Sequence, residues 1–215
     1  MTLVDTDPDF SRQKGNPVLV EAAIALTENR LHDAEPLLRQ HLRADPLDVA
    51  AIRMMAELAA RIGRLKDSEN LLRRALELSP HFVAARSNLA TVLYRQNRPA
   101  DAVAELDALL DHDPDNTANA SLKAAALGRI GDYDEAIALY AQVLERMPDH
   151  PKVWMSYGHL LKTVGQQAQS IKAYRSALAI APALGEVWWS LANLKTVQFD
   201  DADIAAMEAA LASPE

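Results

Sequence analysis

Histidine is the side chain whose ordinary pKa places a charge change between pH 5 and 8. This chain has six: His32, His41, His81, His112, His150 and His159. No two are four residues apart and no H-E-x-x-H occurs, so the paired imidazoles that a helix offers to zinc are missing. There is no cysteine, which removes disulfides, thiolate zinc sites, iron–sulfur clusters and cysteine nucleophiles together. Asp200, Asp201 and Asp203 form an acidic run without the spacing or the glycine of a calcium loop. Gly128 and Gly131 do not belong to a phosphate loop, and neither the G-x-x-x-x-G-K nor the G-x-G-x-x-G pattern is present. The other carboxylates fall mostly at turns and helix starts, which is capping chemistry rather than an acid–base pair. The sequence predicts no catalytic, cofactor-binding or metal-binding residue, and so no enzyme activity for this chain.

One cation recurs at a fixed interval. Arg61, Arg95 and Arg129 are 34 residues apart. A row of guanidiniums holds a carboxylate through paired N–H donors, provided that the fold aligns them. The elements that would do so follow the same interval. Pro46, Pro80, Pro114, Pro148 and Pro182 are also 34 residues apart. With proline at position 32 of the frame, the repeats are 15–48, 49–82, 83–116, 117–150 and 151–184, followed by a divergent terminal repeat, 185–215. Position 8 is always small: Ala22, Ala56, Ala90, Ala124, Gly158 and Ala192. Position 20 holds Ala34, Ser68, Ala102, Ala136 and Ser170, then Ile204. Small residues at two fixed positions let two helix backbones approach where they cross. Position 15 is Asn29, Gly63, Asn97, Gly131 and Gly165, the types that tolerate the left-handed conformation ending a helix. Each repeat is therefore expected to hold one helix over about positions 2–14 and a second over about 18–31, stopped by the proline. Asp33, Asp67, Asp101 and Glu135 sit at position 19, in the first turn of the second helix. Pro36 and Pro99 are expected in that first turn too. Alanine and leucine dominate, and alternating β-branched runs are absent. The class is all-α.

This pattern resembles the tetratricopeptide repeat (TPR) family, best in repeat 151–184 with Trp154, Gly158, Gly165, Tyr174, Ala177 and Pro182. The first repeat departs from it at Val18, Glu21 and His41. The resemblance implies a right-handed superhelical solenoid whose first helices line a concave groove. That makes the chain a protein-interaction scaffold holding a peptide or partner domain. The groove positions then hold Arg53, Arg61, Asn88, Tyr94, Arg95 and Arg129 in the earlier repeats, and Met155, His159, Lys162, Trp189 and Asn193 in the later ones. Two readings of the arginine row stand side by side. It is either a ladder for an acidic or C-terminal peptide, or a set of cations stabilising helix C-termini at about 0.3–1 kcal/mol each. The carboxylate clamp of co-chaperone TPR modules is not reproduced. Glu57 follows Arg53, and Ala118 and Leu122 replace the basic pair that the clamp requires.

Residues 185–211 add a second resemblance. Gly185, Glu186, Trp188 to Thr196, Phe199 and the helix after Asp201 are similar to the junction in bacterial proteins that join a TPR array to a C-terminal sulfotransferase domain. The resemblance implies a covalently linked sulfotransferase beyond Glu215, with Trp189 at the groove near it. The alternative is a stand-alone TPR adaptor with an unrelated partner. Ile204, Met207 and Leu211 make one apolar face of the last helix.

Composition bounds the partner. The net charge of −8 disfavours nucleic acid and polybasic membrane binding. No stretch approaches the ~20 apolar residues of a membrane span. Residues 1–14 show no helical period and read as a flexible N-terminal segment, and a cytoplasmic setting is expected.

Overall fold

In a computed structural model, residues 16–212 are described; the expected flexible segment 1–14 lies outside them. The chain divides into two compact units, Met1–Pro114 and Asp115–Glu215. Among the described residues there are twelve helices and no strand. The first unit holds α1 (Pro17–Thr27), α2 (Leu31–Ala44), α3 (Val49–Arg61), α4 (Leu65–Leu78), α5 (Val83–Arg95) and α6 (Pro99–His112). The second holds α7 (Thr117–Ile130), α8 (Tyr133–Arg146), α9 (Pro151–Thr163), α10 (Gln167–Ile180), α11 (Gly185–Ala192) and α12 (Asp201–Ala212).

The prolines end the second helices by acting on the residue before them. The caps Asp45, Ser79, Asp113, Met147 and Ala181 all take extended φ, between −129° and −141°. A following proline excludes the helical region at that residue. Asn29, Gly63, Asn97, Gly131 and Gly165 all have positive φ, from 58° to 96°, and turn the first helix into the second. Pro99 opens α6 as expected. Pro36 does not open α2: the helix starts at Leu31, so Pro36 falls one turn further in. There its missing N–H leaves the His32 carbonyl, on an exposed residue, to water.

Within each hairpin the core forms where position 8 meets position 20. Ala22, Ala56, Ala90, Ala124, Ala34, Ala102 and Ala136 are completely buried. Where serine replaces alanine, its hydroxyl donates to the facing backbone: Ser68 Oγ to the Ala56 carbonyl at 2.7 Å and Ser170 Oγ to that of Gly158 at 2.8 Å. A large side chain four positions further along the second helix seals the crossing. Leu38, Leu72, Leu106, Tyr140 and Tyr174 are all buried, each worth about 1.5–3 kcal/mol of transfer free energy. Neighbouring repeats within a unit are tied as well. Arg86, Trp154 and Trp188, all at position 4, donate to the carbonyls of Pro80, Pro148 and Pro182.

The terminal repeat is shortened by one helical turn. Its left-handed residue is Lys195, φ 58°, four positions earlier than in the other repeats. Ala192 is exposed, so the small-residue crossing is lost there. Phe199 instead packs edge-on against Trp188, with ring centroids 6.0 Å apart. Asp200 is the N-cap of α12: its side chain accepts from the Asp203 N–H at 2.9 Å. The apolar face expected of α12 is not a buried face, since Ile204 is 48% and Leu211 88% exposed. The helix buries Asp203 instead, in a two-bond pair with Arg175 of α10.

Candidate functional site

In the first unit, the first-helix face is organised by Glu57. This carboxylate accepts from Arg53, at 3.4 Å, and from Arg61 one turn on. Arg61 also donates to the Leu26 carbonyl in the last turn of α1. Arg53 and Arg61 therefore share one carboxylate, and Arg61 closes the C-terminal end of the preceding first helix. Asn88 and Tyr94 are half-buried on α5. Arg95, in the last turn of α5, is exposed and has no polar partner among the described residues. Arg129 is exposed in the last turn of α7, in the second unit.

In the second unit, Met155, His159 and Lys162 form an i, i+4, i+7 stripe along α9. Glu186 and Trp189 form a facing stripe on α11, continued by its C-cap Asn193. The two stripes meet where His159 Nε2 lies 3.6 Å from Glu186. Nδ1 of His159 shares a hydrogen bond with the Tyr174 hydroxyl at 3.0 Å, and the rings stand edge to face. Burial lowers the His159 pKa, and Glu186 opposes this less strongly, so the ring is neutral at neutral pH. The same burial raises that of Tyr174. Met155 packs on the cluster of Tyr174, Val187 and Leu191. Lys162 and Asn193 are exposed, and Trp189 is 68% exposed. No reacting constellation accompanies these groups; they can hold a chain through apolar contact, hydrogen bonds and one cation.

Two polar centres escape inspection of the spacing. Glu69 is buried between repeats and bonds Lys66 at 3.1 Å, Arg73 at 3.0 Å and Arg98 at 2.9 Å. Burial, the largest single influence, pushes this carboxyl up. Its bonds to Arg98, Lys66, Arg73 and Gln96 outweigh that and hold it at about 2. The signal was a glutamate four residues before one arginine and opposite another in the next repeat. The second centre explains why His41 departs from the family pattern. The Asn16 carbonyl oxygen caps Val18, so its amide nitrogen faces His41 Nδ1 at 3.1 Å. His41 Nε2 then donates to Asp48 at 2.9 Å, and Asp48 caps α3 through Ala50 and Ala51. Asp45 lies near enough to complete a three-ligand set with His41 and Asp48. The imidazole is already held at both nitrogens by two helix caps, so these residues serve as structural links.

The family described as the cytochrome c-type biogenesis protein H TPR domain matches residues 12–152, more than half of the chain. The tetratricopeptide repeat family matches residues 131–194. No curated protein matches. Among solved structures, the chain is similar to YrrB, described as a TPR protein with an unusual peptide-binding site. That match has 18% identity and a TM-score of 0.67, and covers 85% of this chain and 97% of YrrB. It is also similar to MamA from Desulfovibrio magneticus RS-1, at 14% identity and TM-score 0.70, covering 78% of this chain and 94% of that one. A third match is MamA AMB-1, at 22% identity and TM-score 0.63, covering 74% and 94%. At these identities the structures share the fold. No described helix is long and apolar enough to cross a membrane.

Proposed function

We propose that this chain, which belongs to the family described as the cytochrome c-type biogenesis protein H TPR domain, is an interaction scaffold holding a segment of a partner protein along α9 and α11. The observation that carries this reading is Trp189, 68% exposed on α11 in the stripe that meets His159 through Glu186. An exposed tryptophan flanked by polar groups is the composition of a binding hot spot. The partner offers an apolar side chain to Trp189 and hydrogen-bonding groups to Asn193. It places an acidic group near Lys162. That YrrB, of similar fold, is described as having a peptide-binding site supports a peptide as the bound form. The cytoplasmic setting expected from composition belongs to this reading. Benzoylphenylalanine placed at Lys162 or Asn193 should crosslink a discrete partner protein in cell extract. Trp189→Ala should abolish that product. Crosslinking only from Lys172 on α10, which is also exposed, would reject the site.

A finer version makes the partner a covalently linked sulfotransferase domain. The likeness of residues 185–211 to such a junction supports it. A sulfotransferase domain added in trans should bind this chain, with affinity lost on Trp189→Ala; no binding would leave the stand-alone adaptor.

A further inference from the structure

The repeats provide an internal comparison at two successive seams of the first unit. Position for position, the seam between the first and second repeats carries Glu35, Arg39, Arg64 and Asp67. The next seam carries Glu69, Arg73, Arg98 and Asp101. The residue types are identical, and the outcomes differ. At the second seam Arg98 bonds Asp101 at 2.6 Å and also crosses to Glu69 at 2.9 Å, which leaves Glu69 only 2% exposed. At the first seam Arg64 bonds Asp67 at 2.5 Å and Glu35 bonds Arg39 at 2.7 Å, and the crossing bond is not made. A cleft of about 530 Å³ stands there instead.

Among the positions that differ between the seams, two bear on closure: Ala59 stands where the second seam has the larger, buried Leu93, and Ile62 stands where it has Gln96. Gln96 at the second seam donates to the Leu65 carbonyl at 3.0 Å and accepts from Arg98 at 3.2 Å, drawing the seam shut. The first seam has Ile62 at that position, which can do neither. Ile62 is 47% exposed and, with Leu42, Met55, Leu58 and Leu71, gives the cleft an apolar lining. Arg39, Arg43 and Arg64 line the same cleft together with Glu35 and Asp67, which pair with Arg39 and Arg64 and leave one cation in excess. Arg43 has no polar partner among the described residues.

We infer that this cleft binds a peptide segment in which a glutamate or aspartate adjoins a bulky apolar side chain. The carboxylate takes at Arg64 and Arg43 the place that Glu69 takes at Arg98 in the next seam, and the apolar group fills the space over Ile62 and Met55. The size is that of a ligand pocket. The choice of a carboxylate comes from the molecule itself, which closes the equivalent seam with one. The cleft lies between the second helices α2 and α4 over α3, and its occupancy is independent of the Trp189 face.

The test uses the full chain with labelled methyl groups and the acetylated, amidated peptide Ala-Phe-Glu-Leu-Glu-Ala, followed by NMR. Saturable shifts are expected at Met55 and Ile62. The glutamine analogue, Arg64→Gln and Arg43→Gln should each weaken binding by about tenfold, the scale of a charge-assisted hydrogen bond. Ile62→Gln, which copies the closed seam, should weaken it as well, while Trp189→Ala should leave it unchanged. Absence of these shifts at millimolar peptide would overturn the inference. So would equal binding of the glutamine analogue, or indifference to both Arg64→Gln and Ile62→Gln. Tighter binding of decanoate than of the peptide would overturn the assignment to a peptide.

Discussion

The ring of Tyr174 lies where a side chain on Gly158 would have to be: a Cβ built on Gly158 would stand 2.6 Å from it. Both residues are buried, and Gly158 occupies a position that is alanine in the four preceding repeats. The larger aromatic on the second helix has taken the volume that the methyl group vacated. Gly158→Ala is therefore expected to destabilise the protein by about 1–3 kcal/mol through overpacking, less up to about 1 kcal/mol gained in helix propensity. Gly128→Ala is the control. Its Cβ would meet only the terminal Cδ1 of Leu160, at 3.1 Å, which has to give by only a few tenths of an ångström, so the change should be near neutral. Denaturant midpoints of the two variants check this.

Glu69 ties acid stability to one seam. Its carboxyl is held at about 2 against an ordinary 4.5. The unfolded chain thus binds the extra proton between these values, and stability falls as pH drops from about 4.5 to about 2. The bonds are fully effective above that window. At most about 3 kcal/mol rides on this group, from the size of the depression. Glu69→Gln should lose about 2 kcal/mol at pH 7 and flatten the pH dependence in that window. His159 acts in the same direction at higher pH. Its lowered pKa means that stability begins to fall once pH drops below about 6.5. Unfolding followed from pH 7 to pH 2 for wild type, Glu69→Gln and His159→Gln separates the two.

Lys195 carries a β-carbon into left-handed backbone, φ 58°, where the other repeats use glycine or asparagine. Lys195→Gly should relieve about 1 kcal/mol and raise the thermal midpoint. A fall in the midpoint would show that the lysine side chain, rather than the turn, sets the position.

The fold was legible because its signals repeat. One proline acting on its predecessor, one asparagine or glycine in left-handed backbone and two small residues at a crossing recur in repeat after repeat, so each position is read several times over. The features that escaped occur once each. The first seam carries Ile62 and Ala59 where the second carries Gln96 and Leu93, and nothing in the spacing of one sequence weighs those exchanges. His41 breaks the family pattern because it links two helix caps, a role set by Asn16 and Asp48 at a distance. The arginine row shows the limit of spacing most plainly. Arg61 and Arg95 hold equivalent positions, yet Arg61 is bound to Glu57 and the Leu26 carbonyl while Arg95 is free among the described residues. The last helix was expected to bury apolar residues, and it is attached through Asp203 and Arg175 because charge, not Ile204 or Leu211, faces α10.

The central claim is that Trp189 anchors a partner. Because the residue is 68% exposed, Trp189→Ala should change folding stability by no more than about 0.5 kcal/mol. Its effect should fall on binding alone. Titration calorimetry of the partner recovered by crosslinking, against wild type and Trp189→Ala, measures this directly. An affinity loss of about thirtyfold or more, the scale of a hot-spot residue, is expected at an unchanged thermal midpoint. An unchanged Kd would contradict it.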